Sequence, residues 1–145
     1  MAAAVEKHFE RAEIVIKSAA VADYRPTKTA DQKIKKKDDS PAVSFERTAD
    51  ILAELGRKKG DRILVGFAAE TQDLIPNARE KLQKKNLDMI VANDVSRNDI
   101  GFGSDKNKVS IIVSGGEVFD LPKMTKEAVA HAVLDRIAML KKETG

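Results

Sequence analysis

Three short runs place polar, chemically able residues directly behind apolar stretches. They are Asp23-Tyr24-Arg25 after Ala19-Ala20-Val21-Ala22, Glu70-Thr71 after Ile63 to Ala69, and Asn93-Asp94 after Met89 to Ala92. A carboxylate in such a position can hold a magnesium ion or a ribose hydroxyl, and an amide or hydroxyl can fix a ligand without adding charge. The same residues also suit the caps of turns and helices. Cations are clustered too: Lys33, Lys35, Lys36 and Lys37 crowd one short segment. Mobile ammonium groups there could surround a triphosphate and stabilise both a pentavalent phosphorus and its pyrophosphate leaving group, or could form a solvated charge run. Lys81 and Lys85, at i and i+4 on a helix face, could point at phosphate or at water.

Several chemistries are excluded. The sequence contains no cysteine, which removes disulfides, thiolate zinc sites and thiol nucleophiles, and this suits a reducing cytoplasm. Neither a Gly-x-x-x-x-Gly-Lys loop nor a Gly-x-Gly-x-x-Gly turn occurs, and Gly101-Phe102-Gly103 is too short to specify a nucleotide. His8 and His131 have no companions at metal-ligand spacing. A net charge of +3 amid 34% charged residues describes an ordinary solvated surface, and 4% aromatic content offers few platforms for stacking nucleic-acid bases. No apolar run approaches the roughly 20 residues of a membrane span. Met1 to His8 lacks the order of a secretory signal, so a cytoplasmic location is expected.

The elements that must position these residues follow from periodicity. Residues 2 to about 11 read as a helix with Val5 and Phe9 inward, and Ile14-Val15-Ile16, running on to Ser18, Ala19 and Ala20, as a buried strand. Arg25 to Pro41 is polar and proline-bounded, giving a flexible lysine-rich flap over 26–41. Val43 and Phe45 alternate with polar neighbours as in a half-exposed strand, before a helix carrying Ile51, Leu52 and Leu55 that Gly56 or Gly60 ends. Ile63 to Ala69 and Met89 to Ala92 read as buried strands around a helix over Asp73 to Lys85. After a loop over Ser96 to Lys108, Val109 to Val113 and Val118 to Leu121 form a hairpin about Gly115-Gly116 that closes an edge. Val129, Val133, Ile137 and Leu140 mark a final helix. The expectation is a single α/β domain over 1–145: a Rossmann-like, mostly parallel sheet with helices on both faces and a C-terminal β-hairpin, binding its ligand at the strand C-terminal ends.

Four runs in order, Ala19 to Arg25, Lys33-Ile34-Lys35-Lys36, Gly66 to Thr71 and Lys85 to Asp94, resemble bacterial phosphopantothenoylcysteine synthetase along nearly the whole chain. This CTP-dependent phosphopantothenate–cysteine ligase is usually fused behind a flavin-dependent decarboxylase in coenzyme A synthesis. The resemblance implies attack of 4′-phosphopantothenate on the α-phosphate of CTP, giving an acyl-cytidylate and pyrophosphate, then capture by cysteine with release of CMP. It implies that Lys17, Ser18 and Ala19 approach the nucleotide and that Asp23 binds it directly or through Mg2+. The resemblance also implies that Lys33 contacts phosphate from the flap, and so that Asp23 and Lys33 carry the catalytic roles. Ala49, Asp50, Ile51 and Leu52 match a nucleotide-contacting helix start, although the family often has Asn-Pro at Thr48-Ala49. By the same resemblance Phe67 is expected to pack beside base or ribose, although it equally suits plain core, and Lys81 and Lys85 are expected to complete the cationic wall.

The implied partners are CTP, 4′-phosphopantothenate, cysteine, a second copy in a homodimer and a decarboxylase domain in the full-length protein. Flavin, nucleic acid and membrane are not expected to bind this chain. The family's glycine-rich phosphate-binding turn, and an arginine and an asparagine that handle the acyl-cytidylate, have no counterpart here, so the resemblance implies that 1–145 is the C-terminal portion of a ligase domain, and CTP affinity with little turnover is expected of this polypeptide alone. The competing readings are a nonenzymatic nucleotide- or nucleic-acid-binding module, with steep salt dependence and little preference for CTP, and a Rossmann-like oxidoreductase.

Overall fold

The computed structural model describes residues 1–32, 42–95 and 105–144. In chain order the elements are α1 (Ala2–Phe9), β1 (Ile14–Lys17), β2 (Tyr24–Pro26), β3 (Phe45–Arg47), α2 (Ile51–Arg57), β4 (Ile63–Glu70) and α3 (Leu74–Lys84). Then come β5 (Met89–Asp94), β6 (Lys106–Asn107), β7 (Val109–Val113), β8 (Val118–Asp120), β9 (Met124–Thr125) and α4 (Lys126–Thr144). They fall into two compact units, one of Met1–Ala19 with Ile51–Gly145 and one of Ala20–Asp50.

The larger unit is built on a five-stranded sheet in the order β1-β4-β5-β7-β8. β1, β4 and β5 run parallel, while β7 and β8 are antiparallel to their neighbours and form the expected hairpin at one edge. Gly116, at φ +94, takes the turn conformation that a side chain would resist. The sheet is thus Rossmann-like and α/β, with a parallel half and an antiparallel extension.

Strand alternation divides the core between two faces. Ile63, Val65, Met89, Val91, Val109, Ile111 and Val113 lie against Val129, Val133 and Ile137 of α4. The intervening residues Leu64, Ile90 and Ile112 are fully buried on the opposite face, where α2 contributes Leu52 and Leu55 and α3 contributes Ala78 and Leu82. Gly66 permits the close approach there, since a Cβ at this position would lie 2.8 Å from Leu87 Cδ1 and 3.1 Å from Leu52 Cδ1. α4 begins under a side-chain cap, with the Ala128 N–H donating to Thr125 Oγ1 at 3.2 Å, without the acidic partner of a full capping box.

Asp88 ties the layers together. Its Oδ2 accepts the Leu64 N–H at 2.7 Å, its Oδ1 accepts Lys59 Nζ at 2.5 Å, and its carbonyl accepts the Ser114 N–H at 2.8 Å. A second clamp joins α2 to the turn after α3. Asn86, in the left-handed region at φ 51, donates Nδ2 to the Gly56 carbonyl at 2.9 Å.

Two sequence expectations are corrected. β1 is an edge strand instead of a buried one: Ile14 is 36% exposed and Ile16 41% exposed. Its β-branched run satisfies strand propensity, but propensity does not say how many neighbours the strand will have. The second correction lies in the smaller unit, where Arg25 and Pro26, expected to open the loop, belong with Tyr24 to a strand that pairs antiparallel with Phe45–Arg47. Arg25 and Glu46 face each other across that ribbon with Nε to Oε1 at 2.7 Å, and Thr48 Oγ1 donates to the Ala22 carbonyl at 2.5 Å. These long-range bonds had no local pattern to announce them. Of the rest of the expected flap, 27–32 carries neither helix nor strand, while 33–41, like the first part of the expected loop, 96–104, lies outside the described residues.

Candidate functional site

Because β1, β4 and β5 are parallel, their C-terminal ends share one edge of the sheet, but they do not end level. β1 stops at Lys17, opposite Gly66, whereas β4 and β5 remain paired as far as Glu70 and Asp94. Past Gly66, therefore, β4 has β5 on one side and, among the described residues, no strand on the other. The step exposes Phe67 to 38%, while Ala68 stays buried. An aromatic ring presented at the carboxyl end of a parallel sheet is suited to pack against a planar base or a ribose. Lys17 shapes the exit from β1, donating Nζ to the Ala19 carbonyl at 2.9 Å, and Ser18 and Ala19 are exposed behind it.

On the opposite face of β4, α3 supplies a cation. Lys81 Nζ lies 2.5 Å from Glu70 Oε1, and Asn77 Nδ2 donates to Glu70 Oε2 at 3.4 Å. Asn77 is itself held by the Gln72 carbonyl at 3.1 Å. α3 carries these groups because Ala78 and Leu82 face the core, leaving Asn77 and Lys81, one turn apart, on its flank beside the strand end. Lys85 is the C-cap of α3, just past its last helical residue, and its position depends on Gly56: a Cβ there would lie 1.9 Å from the Lys85 carbonyl oxygen.

The expected site residues divide between the units. Lys17, Ser18, Ala19, Ile51, Leu52, Phe67, Lys81 and Lys85 belong to the larger unit; Asp23, Ala49 and Asp50 belong to the smaller. Lys33 lies outside the described residues. Asp23 is exposed, and its carbonyl accepts the Thr48 N–H at 2.9 Å. Ile51 and Leu52 bury their side chains in the core, so any ligand contact at these two positions must come from backbone. The partnership of Glu70 and Asn77 with Lys81 escaped sequence reasoning. A carboxylate ending a strand, followed by a helix with Asn77 and Lys81 four apart, is the pattern that points to it.

The resolved carboxyl shifts lie at surface pairs. The Lys141 hydrogen bond, and then its charge, hold Glu13 below the usual carboxylate range, as Lys58 does for Glu6 and Lys84 for Glu80. A polar cleft lined by Glu10, Arg11, Glu13, Asp61, Arg62 and Lys141 sits at the start of β1 and β4, away from the strand C-terminal ends. Its central guanidinium is used structurally: Arg62 donates to the carbonyls of Phe9, Lys59 and Glu10.

Residues 1–140 match the model of the DNA/pantothenate metabolism flavoprotein C-terminal domain. The chain belongs to that family. Among curated members, it is 51% identical over 145 residues to a Bacillus subtilis (strain 168) protein named coenzyme A biosynthesis bifunctional protein CoaBC, covering 100% of this chain and 36% of the relative. It is also 42% identical over 133 residues to a cysteine/cysteine sulfinic acid decarboxylase of an unknown prokaryotic organism, covering 91% of this chain and 37% of that protein. A crystal structure of the C-terminal domain of a CoaBC protein superposes with a TM-score of 0.79 at 39% identity, over 98% of this chain and 61% of the other. This member of the flavoprotein C-terminal domain family thus spans about a third of the length of the curated relatives it matches. None of its described helices is long and apolar enough to cross a membrane.

Proposed function

We propose that this chain is the nucleotide-handling part of a CTP-dependent phosphopantothenate–cysteine ligase acting in coenzyme A biosynthesis. The observation that carries the reading is the step at the end of β4, where a half-exposed Phe67 stands at the same strand end as the Lys81 ammonium. It is found in a chain similar along its whole length to a protein named for coenzyme A biosynthesis.

In this reading Phe67 packs against the cytosine or its ribose, and the backbone of Lys17, Ser18 and Ala19 borders the nucleotide where β1 ends. Lys81 and Lys85 approach the phosphates from the α3 side, and the backbone at Ala49 to Leu52 adds donors at the start of α2. Lys33 supplies a further ammonium to the phosphates. The carboxylate of 4′-phosphopantothenate attacks the α-phosphorus of CTP and pyrophosphate leaves. The cysteine amine then attacks the acyl carbon of the acyl-cytidylate, forming the amide and releasing CMP. Lysine ammonium groups favour the first step by stabilising charge that builds on the phosphate oxygens.

Mg2+, when bound, spreads phosphate charge. Asp23 is an exposed carboxylate able to ligate it, and no group of three acidic or histidine side chains among the described residues is placed to hold a metal. That donor set fits a magnesium ion held by one carboxylate, water and substrate phosphates. The partners in this reading are CTP, 4′-phosphopantothenate and cysteine, with a second copy of the chain in a homodimer and a decarboxylase domain in the longer protein. Calorimetric titration of CTP into the wild-type chain and into Asp23→Ala and Lys81→Ala tests it. Saturable binding weakened by both substitutions supports the assignment; binding indifferent to both sinks it.

A further inference from the structure

The ion pair at the end of β4 is unequally placed: the Glu70 side chain is 13% exposed and that of Lys81 45%. The carboxylate therefore lies beneath and the ammonium is presented outward. Glu70 is also restrained. Its second oxygen accepts from Asn77 Nδ2 at 3.4 Å, and that amide is anchored on the Gln72 carbonyl at 3.1 Å. An ammonium has three N–H donors, so the contact with Glu70 leaves Lys81 able to donate to an anion.

We infer that Glu70, restrained by Asn77, is a positioning residue that sets how strongly Lys81 attracts the phosphates of a nucleotide. The inference rests on the reading of Lys81 as a nucleotide contact. A lone ammonium attracts every anion at long range. One backed by a fixed carboxylate acts as a dipole with its positive end outward, and its pull declines more steeply with distance. An anion gains from such a pair chiefly when it arrives within hydrogen-bonding range. The carboxylate thus exchanges indiscriminate attraction for a directed contact, and limits how tightly a phosphate-bearing product is retained.

The decisive variant is Glu70→Gln, which keeps the size of the side chain and an oxygen acceptor for Lys81 while removing the charge. CTP and inorganic tripolyphosphate are titrated calorimetrically into the full chain at low and at high salt. Glu70→Gln is expected to bind both on the order of three- to tenfold tighter at low salt, the scale of one unit charge acting near a protein surface, and to lose affinity more steeply as salt rises. Adding Lys81→Ala to it is expected to erase the gain. Asn77→Ala, which frees one carboxylate oxygen, is expected to shift affinity in the same direction by a smaller factor, and serves if Glu70→Gln does not fold.

A purely structural role predicts looser binding instead, so unchanged or weakened affinity in a folded Glu70→Gln chain overturns the inference. A gain that survives Lys81→Ala overturns it too. If the wild type binds tripolyphosphate but not CTP, the nucleotide assignment fails while the response of tripolyphosphate binding to Glu70→Gln still decides this one. Binding of neither anion overturns both.

Discussion

Gly56→Ala sets helix propensity against sterics at a position that also supports a candidate site residue. Gly56 is the penultimate residue of α2, and alanine within a helix is favoured over glycine by about 1 kcal/mol. Against this, the new methyl would lie 1.9 Å from the Lys85 carbonyl oxygen and 2.9 Å from its carbonyl carbon, both backbone atoms that no rotamer change can move. Restoring ordinary contact requires α2 to retreat by well over 1 Å, which also stretches the 2.9 Å bond from Asn86 Nδ2 to the Gly56 carbonyl. Overpacking of this kind costs about 1–3 kcal/mol, and loss of the hydrogen bond adds about 1 kcal/mol. The net expectation is a loss of about 2 kcal/mol. With a urea dependence of about 1–3 kcal/mol per molar, the midpoint falls by on the order of 1 M. Far-UV circular dichroism is the suitable assay, because the four helices among the described residues all lie in the larger unit. An unchanged or raised midpoint refutes the reasoning, since propensity alone predicts a gain. Displacing the Lys85 backbone is also expected to weaken CTP binding in the folded variant.

Asp88→Ala is expected to destabilise by about 2–4 kcal/mol, because it leaves Lys59, 16% exposed, and the Leu64 N–H without their acceptor; Asp88→Asn should cost less, as it keeps an oxygen for Leu64. Chemical denaturation of the two variants checks the order. Phe67→Ala is expected to weaken CTP binding by about three- to tenfold, the scale of one aromatic packing contact, with little change in unfolding midpoint because the ring is half exposed; calorimetry and denaturation read the two quantities. For Glu13, the folded carboxyl titrates below its unfolded counterpart through the Lys141 hydrogen bond and charge. Its small stabilisation is therefore present above the ordinary glutamate value of about 4.3 and is lost as pH falls through the folded pKa. NMR titration should show the Glu13 midpoint rise in Lys141→Ala.

Periodicity made most of the larger unit legible. The near-continuous apolar runs of β4 and β5 could only be buried between two layers, and Val129, Val133 and Ile137 announced the face of α4 that covers one of them. Lys81 was legible as a candidate from its place on a helix face, whereas Phe67 became one through the family resemblance. What the sequence concealed depends on distant partners. Ile14 and Ile16 carry strand propensity whether or not a neighbour covers them, so the edge position of β1 was invisible. The pairing of Tyr24–Pro26 with Phe45–Arg47 joins segments with no shared period, and the Lys81–Glu70 contact requires knowing how α3 returns across the end of β4. Likewise, Ile51 and Leu52 matched a nucleotide-contacting motif while their side chains serve the core, because a motif does not distinguish backbone from side-chain contact.

The central claim, a cytidine nucleotide site at the strand ends, is tested most directly by titrating CTP, ATP and NAD separately into the full chain in the presence of Mg2+. Saturable binding of CTP, clearly tighter than that of ATP or NAD, is the predicted result; equal affinity for all three, or preference for NAD, contradicts it.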